Sequence, residues 1–325
     1  MRVAIVGFGV QGPKRMKAAG DDCVAIVDPV VDREAHPDLA GSDVPLYRDL
    51  AEVPFHDFDA ALVCTPDEPK PKLLKTLLGA GKHVLVEKPL IAEDDWVLEE
   101  LSEAARSTGA VCVTAYNHRF EPHFRRMHDL IRSGALGRIY SLRLFYGNGT
   151  ARLVRDSAWR DGGAGVLPDL GSHLLDTLKF WLPEAGGWTF ETRVARRHEN
   201  RSFDQVIVAS DGEDQPSVEL EMSLLSWRNH FTCDVFAEKG SAHIASLCKW
   251  GESTFTHRTR VLPAGRPPEE VVVEPQGDPT WEAEYAHFKR LCDVGSHTEI
   301  DNDLWLNRTL RDLAHQAYDR FGAPE

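Results

Sequence analysis

A glycine-rich turn between a short apolar segment and a helix is the feature that most constrains the fold of this 325-residue chain. Residues 2–6, which are apolar after Arg2, are followed at once by the turn Gly7-Phe8-Gly9-Val10-Gln11-Gly12. In this G-x-G-x-x-G spacing the first glycine permits a tight turn, the second lets a pyrophosphate approach the backbone, and the third lets the helix pack on the strand. The helix N-terminus adds unpaired N–H groups and partial positive charge. We expect all six turn residues to bind a dinucleotide.

A second apolar segment, residues 23–27, predicts a strand that ends at Asp28. Asp28 follows Gly7 by about 20 positions, the offset at which an acidic residue binds the adenine ribose. A carboxylate there favours the free 2′-hydroxyl of NAD and repels the 2′-phosphate of NADP, although Arg33 nearby would soften that repulsion. The alternative is that Asp28 only forms a turn before Pro29.

Strands and helices continue to alternate as far as residue 120. Strands are expected at 60–64, 83–86 and 110–114, and helices at 72–80 and 96–108. This alternation predicts a doubly wound parallel sheet, in which ligands lie beyond the carboxyl ends of the strands. The residues expected there as further cofactor contacts are Thr65, Pro66, Glu87, Lys88 and Asn117. Lys88 would direct a cation at the ligand, unless it is an ordinary solvated loop lysine.

From residue 139 the pattern changes to a period of two, which predicts strands. These are expected at 139–146, 190–196, 203–210, 218–225, 231–238, 242–247 and 255–261, with closing helices at 281–293 and 303–321. Successive strands without intervening helices favour antiparallel pairing. We therefore predict two domains, residues 1–120 and 121–325, with the C-terminal helix able to pack back on the first. Covering the exposed sheet face with a second copy predicts a homodimer or homotetramer.

The segment 161–176 contains the strongest candidates for proton transfer. Three glycines, Gly162, Gly163 and Gly165, precede a predicted helix that begins near Pro168. Asp169, His173 and Asp176 would share one face of that helix, as a general acid–base site requires. The alternative is an Asp-His pair that only stabilises its own helix surface.

Other polar and aromatic residues are candidates for substrate binding. Trp159 could stack on a sugar, or else pack in the core, and Arg160 and Arg119 could bind hydroxyl, carboxylate or phosphate groups.

Composition narrows the class of partner. The net charge of −14 argues against nucleic acid and anionic membranes. The six cysteines are scattered, without metal-ligand spacing, which predicts reduced thiols and no metal site. The chain shows no signal peptide or membrane-spanning run, so we expect a cytoplasmic protein.

Taken in order, the motifs Gly7–Gly12, Thr65-Pro66, 81–89 and 162–176 resemble the glucose–fructose oxidoreductase / inositol dehydrogenase (Gfo/Idh/MocA) family. The resemblance implies a Rossmann domain followed by a domain with an open, largely antiparallel sheet, NAD or NADP as cofactor, and a cis bond at Lys88-Pro89. It also implies that Lys88, Asp169 and His173 are the catalytic residues. Two departures concern residue 67, an aspartate where the family commonly has histidine, and Ala164, which interrupts a triple glycine.

The expected activity is hydride transfer between the nicotinamide and a secondary alcohol or ketone. The substrate would be a sugar, a sugar derivative (including a nucleotide-linked one) or a cyclitol. Two alternatives remain open: a glycosidase that oxidises C3 transiently with NAD, and a non-catalytic NAD-binding regulatory protein.

Overall fold

The computed structural model describes residues 1–157, 160–295 and 298–323, which form two compact units. The first unit comprises Met1–Asn117 and Thr280–Asn307, and the second comprises 118–279 and the chain from Arg308 onward. The sequence predicted a boundary at residue 120, with the C-terminal helix able to pack back on the first domain. Residues 280–307 join the first unit because Tyr285 and Phe288 are buried in its core.

Eight α-helices lie in the described part of the chain. They are α1 Gly12–Ala19, α2 Lys70–Gly79, α3 Asp95–Thr108, α4 Pro122–Arg132, α5 Ala151–Arg155, α6 Ser172–Trp181, α7 Thr280–Val294 and α8 Ile300–Phe321. The sequence had not predicted α4. Its first turn begins with a proline, which suits a helix N-terminus.

The first unit contains the expected parallel sheet, which has six strands, one more than the sequence predicted, because β3 has only two residues. Its strands are β1 Val3–Val6, β2 Cys23–Val27, β3 Leu46–Tyr47, β4 Ala60–Val63, β5 His83–Glu87 and β6 Cys112–Ala115. Their order in the sheet is β3-β2-β1-β4-β5-β6, and every pair is parallel. The strand order reverses between β1 and β4, which is where open α/β sheets bind ligands.

Apolar side chains cover both faces of this sheet. Helices α2 and α3 supply Leu74 and Leu98 to a core on one face, while α7 supplies Phe288 to a core on the other. Strand β1 is therefore buried on both faces, with Val6 in one core and Ile5 in the other, as the continuous apolar segments predicted.

The second unit is built on an eight-stranded sheet. Its strands are β7 Ile139–Gly147, β8 Glu191–Arg196, β9 Gln205–Ser210, β10 Ser217–Ser223, β11 His230–Ala237, β12 Gly240–Ala245, β13 Ser253–Thr259 and β14 Glu269–Glu274. The order is β14-β13-β12-β11-β7-β10-β9-β8. The expected mostly antiparallel sheet is confirmed, but β7 and β10 pair in parallel. Strand β14, which is charged at both ends, was not predicted.

One face of this second sheet is buried and the other is partly open. Leu142, Leu144 and Leu220 on the inner face are buried. The apolar side chains of α6, Leu174, Leu178 and Trp181, are buried as well. On the other face Phe236, Val271 and Val273 remain about half exposed.

All six cysteines are free thiols within the described residues. None of the helices described is long and apolar enough to cross a membrane.

Candidate active site

The glycine turn after β1 has the backbone shape that a dinucleotide site needs. Gly7 has a φ of +93°, and a Cβ added to it would lie 2.8 Å from the carbonyl carbon of Cys64. A Cβ on Gly12 would lie 2.6 Å from the carbonyl oxygen of Gly7. A Cβ on Gly9 would instead enter open space. Two glycines thus permit close packing of the turn, and the middle one leaves its outer surface bare for a phosphate group.

The remaining turn residues contribute in different ways. Phe8 is buried in the core, Val10 is exposed, and the Gln11 side chain accepts a hydrogen bond from Lys14. Any cofactor contact of Phe8 would therefore be made by its backbone.

Asp28 lies at the end of β2 and is tied to the glycine turn. Its carboxylate accepts hydrogen bonds from the backbone N–H groups of Phe8 at 2.7 Å, Val30 at 2.9 Å and Val31 at 2.8 Å. Burial alone would raise the pKa of Asp28, but these three bonds hold the pKa below its ordinary value. Asp28 is therefore an anion that also organises the turn. Arg33 is occupied elsewhere, since it donates to the carbonyl oxygens of Ser42 and Val44.

The Glu87-Lys88-Pro89 segment follows β5 and is held by a buried arginine that the sequence reasoning missed. Arg15 on α1 donates from Nε to Glu87 at 2.7 Å and from Nη1 to Glu284 on α7 at 2.6 Å. Its guanidinium lies 4.5 Å from the ring centroid of Trp281. Burial would lower the pKa of Arg15, but the charges of Glu284 and Glu87 raise it above its ordinary value.

A second buried cation holds the other end of this segment. Lys70 on α2 donates to the carbonyl oxygen of Pro89 at 2.8 Å and to the carboxylate of Asp67 at 2.7 Å. Asp67 and Lys70 belong to the stretch that departs from the family pattern. The Lys88-Pro89 bond is cis, as the resemblance implied. Lys88 itself is half-buried.

The other expected cofactor residues lie where the sheet topology placed them. Thr65 and Pro66 follow β4 after Cys64, next to the glycine turn that packs on Cys64 and Thr65. Asn117 follows β6, is buried, and donates to the hydroxyl of Thr280 at 3.0 Å. Since that amide is engaged within its own unit, it positions the end of β6 in this structure.

Of the three glycines before α6, Gly165 is required by close packing. A Cβ on Gly165 would lie 2.2 Å from the carbonyl oxygen of Phe203, and the φ of Gly165 is +59°. Asp161, at the start of the segment, accepts hydrogen bonds from the backbone and hydroxyl of Ser202. Burial would raise the pKa of Asp161, but its bonds to Ser202 and Arg201 hold it below its ordinary value. This loop is anchored at both ends, and Gly162 and Gly163 are exposed between them.

The helix that carries the proposed acid–base residues begins irregularly. Residues Leu167–Gly171 form a single π-helical turn, and the regular α6 starts only at Ser172. The expectation of one regular helix from Pro168 is wrong in this detail, and Asp169 lies in the wider turn. Gly171 in this turn packs against Met222, where a Cβ would lie 2.9 Å from the sulfur. π-Turns of this kind occur frequently at functional sites.

Arg119 and Asp176 form a buried ion pair. The Arg119 guanidinium donates from Nε and Nη2 to the two carboxylate oxygens of Asp176, at 2.9 and 2.5 Å. Asp176 on α6 is only 1 % exposed. Arg119, expected to bind substrate, thus anchors α6 through a bidentate contact.

His173 is surrounded by residues that the sequence reasoning did not select. The ring of His118 stacks on it with centroids 4.1 Å apart and an interplanar angle of 19°. Tyr146 on β7 meets His173 edge-on at 5.8 Å. Burial, together with the charge of Asp169, raises the pKa of Tyr146. The sequence signal was weak: His118 lies within a segment noted only for Asn117 and Arg119.

Lys249, also missed, completes this cluster from the turn after β12. Its Nζ lies 3.0 Å from Nε2 of His118 and 5.0 Å from the ring centroid of Trp250. Of the two residues expected just before the glycines, Arg160 is half-buried and Trp159 lies outside the described residues.

Comparison with protein families matches two models in order along the chain. The first, an oxidoreductase family with an NAD-binding Rossmann fold, matches residues 1–116. The second, the GFO/IDH/MocA C-terminal domain, matches residues 124–243.

Two curated proteins show the range of relatives. The chain is 30 % identical over 204 residues to trans-1,2-dihydrobenzene-1,2-diol dehydrogenase of Oryctolagus cuniculus, covering 62 % of this chain and 60 % of that protein. It is 32 % identical over 176 residues to 1,5-anhydro-D-fructose reductase of Ensifer adhaerens, covering 51 % of each chain. The chain thus spans about half to three-fifths of the length of these relatives.

Levoglucosan dehydrogenase in complex with NADH has a similar fold. The TM-score is 0.81 at 18 % identity, and the match covers 98 % of this chain and 97 % of that one. Since the two models of this family match residues 1–116 and 124–243 in order, the protein belongs to the GFO/IDH/MocA family of oxidoreductases, with an NAD-binding Rossmann domain in its first unit.

Proposed function

We propose that this protein is a dehydrogenase or ketoreductase that transfers a hydride between a nicotinamide cofactor and a secondary alcohol or ketone. The substrate would be a sugar, a sugar derivative, including a nucleotide-linked one, or a cyclitol. The proposal rests on His173, which lies on a helix that the Arg119–Asp176 pair anchors. The chain also has Lys88 and Asp169 at the other two positions expected to be catalytic. The names of the relatives, a reductase of a sugar derivative and a dehydrogenase of a cyclic diol, support the same class.

Each residue has a distinct role in the proposed chemistry. His173 takes the hydroxyl proton on a ring nitrogen, since an imidazole titrates near neutral pH. Lys88 donates a hydrogen bond to the substrate oxygen and stabilises the negative charge that develops there. Asp169 orients the substrate or the imidazole. NAD, when bound, supplies the hydride acceptor, so the alcohol becomes a ketone as it loses one proton and one hydride.

The cofactor contacts are proposed from the geometry of the first unit. The backbone of the turn Gly7–Gly12 would hold the pyrophosphate, with further contacts from Thr65, Pro66, Glu87 and Asn117. Asp28 would accept from the adenine ribose hydroxyls, because its carboxylate is ionised and fixed at the end of β2. This anion disfavours a 2′-phosphate, so we propose NAD over NADP.

The direct test is a substrate panel. Sugars, inositols and nucleotide sugars are incubated with the protein and NAD, and NADH absorbance is followed. His173→Ala and Lys88→Ala should each lose most turnover, and NAD affinity is measured separately so that a loss of chemistry is told apart from a loss of binding; His173→Ala should retain it. Near-normal turnover in both variants would refute the assignment. Cleavage of a glycoside without accumulation of NADH would instead indicate the glycosidase, and NAD binding without any turnover would indicate a regulatory protein.

We also propose that the chain forms a homodimer or homotetramer through the second sheet. The half-exposed Phe236, Val271 and Val273 on its outer face support this, because a second copy would bury them. Light scattering coupled to size exclusion, on the parent and on Phe236→Glu, would test it; a parent that runs as a monomer would refute it. The six free thiols favour a reducing, cytoplasmic environment.

A further inference from the structure

His173, the proposed proton acceptor, is covered by a second buried imidazole, that of His118, which has no role in the proposed proton and hydride transfer. His118 is 2 % exposed and His173 is 6 % exposed, and their rings are nearly parallel at 4.1 Å. The χ2 torsion of a histidine is broad, so a free imidazole samples many ring planes. A flat neighbour at this distance restricts the ring of His173 to one plane.

The contact with Lys249 favours one protonation state of His118. A lysine ammonium has three donors and no acceptor, so a ring nitrogen that accepts from it carries no proton. Nζ of Lys249 lies 3.0 Å from Nε2 of His118, and this contact favours the neutral ring with its proton on Nδ1.

We propose that His118, kept neutral by Lys249, is a positioning residue that fixes the ring plane of His173 and leaves His173 as the imidazole that takes the substrate proton. This inference rests on the proposed function. Its physical basis is that two imidazolium rings at 4.1 Å would repel each other, so a charged His118 would oppose proton uptake by His173.

Other charged and titratable groups face the same cluster. Asp169 and the Asp176–Arg119 pair belong to the segment of α6 and to the segment after β6, and Tyr146 comes from β7. These groups are unchanged in the variants below, so a difference between the variants reports on His118 and Lys249.

The first measurement is steady-state kinetics of His118→Ala and His118→Phe. The alanine variant removes the stacked ring and should lower kcat by about tenfold or more. The phenylalanine variant keeps a flat, uncharged ring and should stay within about threefold of the parent, with the KM for NAD unchanged in both. His128→Phe is the matched control, because His128 also stacks on an aromatic ring, Phe180, at 4.5 Å. Parental kcat in His118→Ala, or an equal loss in both His118 variants, would overturn the proposal.

The second measurement needs no substrate. Histidine ring NMR, assigned with the His118 variants, follows the protonation of His118 as the pH is lowered. In Lys249→Met the same ring should take up its proton at a higher pH than in the parent, and the kcat of this variant should fall more on the acid side. Identical titration of His118 in parent and Lys249→Met would overturn the role of Lys249. If no alcohol reduces NAD in the parent, the proposed function fails, and the NMR result still decides the state of His118.

Discussion

Replacing Arg15 by methionine should destabilise the first unit strongly. The change keeps most of the side-chain volume but removes the charge between Glu87 and Glu284. The side chains of Arg15, Glu87 and Glu284 are only 2 %, 11 % and 4 % exposed, so water does not replace the guanidinium. Removing one partner of a buried ion pair costs about 3–5 kcal/mol, because an uncompensated charge remains. At about 2–4 °C per kcal/mol, Tm should fall by roughly 6–20 °C.

The assay is thermal and urea unfolding followed by circular dichroism. Arg106→Met is the matched control, since the Arg106–Asp301 pair has the same charges but side chains that are 53 % and 70 % exposed. Surface pairs of this kind contribute only about 0–1 kcal/mol. Adding Glu284→Gln to Arg15→Met should restore part of the lost stability, because it removes one of the two stranded carboxylates.

A loss of less than about 1 kcal/mol in Arg15→Met, equal to the control, would refute the reasoning. NAD affinity provides a separate readout. Because Glu87 directly precedes Lys88, a freed Glu87 should weaken NAD binding in Arg15→Met and leave it intact in Arg106→Met.

Three further predictions follow from single residues. Gly165→Ala should lower the free energy of unfolding by more than about 2 kcal/mol, because its Cβ would lie 2.2 Å from the carbonyl oxygen of Phe203. Gly163→Ala is the control, since Gly163 has a similar φ but open space around it, and it should lower that free energy by only about 1–2 kcal/mol. Urea unfolding measures both. Asp28→Asn should reduce the kcat/KM preference for NAD over NADP. The pKa of Asp28 is lowered in the folded protein, so the stability that its carboxylate contributes is present above its ordinary pKa and is lost as the pH falls through the folded pKa. Asp28→Asn should therefore lose less stability than the parent when the pH is lowered. Burial lowers the pKa of His123, so the unfolded chain binds the proton first and stability falls as pH drops below about 6.5; His123→Phe should lessen that fall, and an unchanged pH dependence of Tm would contradict it.

The local signals in the sequence were sufficient for the first unit. The spacing of Gly7, Gly9 and Gly12 is a backbone requirement that acts within six residues, and the structure shows the close approaches it implies at Gly7 and Gly12. Apolar segments of four or five residues predicted β1, β2, β4, β5 and β6, because strands that are buried on both faces consist almost entirely of apolar residues.

Some elements were missed because their signals are weak or contradictory. The strand β14 reads Glu-Glu-Val-Val-Val-Glu, and edge strands carry charges that hide their period. The parallel pairing of β7 with β10 depends on the path of about 70 intervening residues, which no local pattern records. In the π-turn before α6, Gly171 similarly packs against Met222, a residue far along the chain.

By itself, the sequence determined the fold class, the glycine turn and the candidates Lys88, Asp169 and His173, because these follow from short-range periodicity and from motif spacing. Only the tertiary structure brought Glu284 to Arg15 across 269 positions, and Lys249 to His118 across 131. A charge can be buried only when its partner arrives with it, and that partner comes from a distant part of the chain. The groups that hold the candidate residues in place were therefore decided by the folded packing.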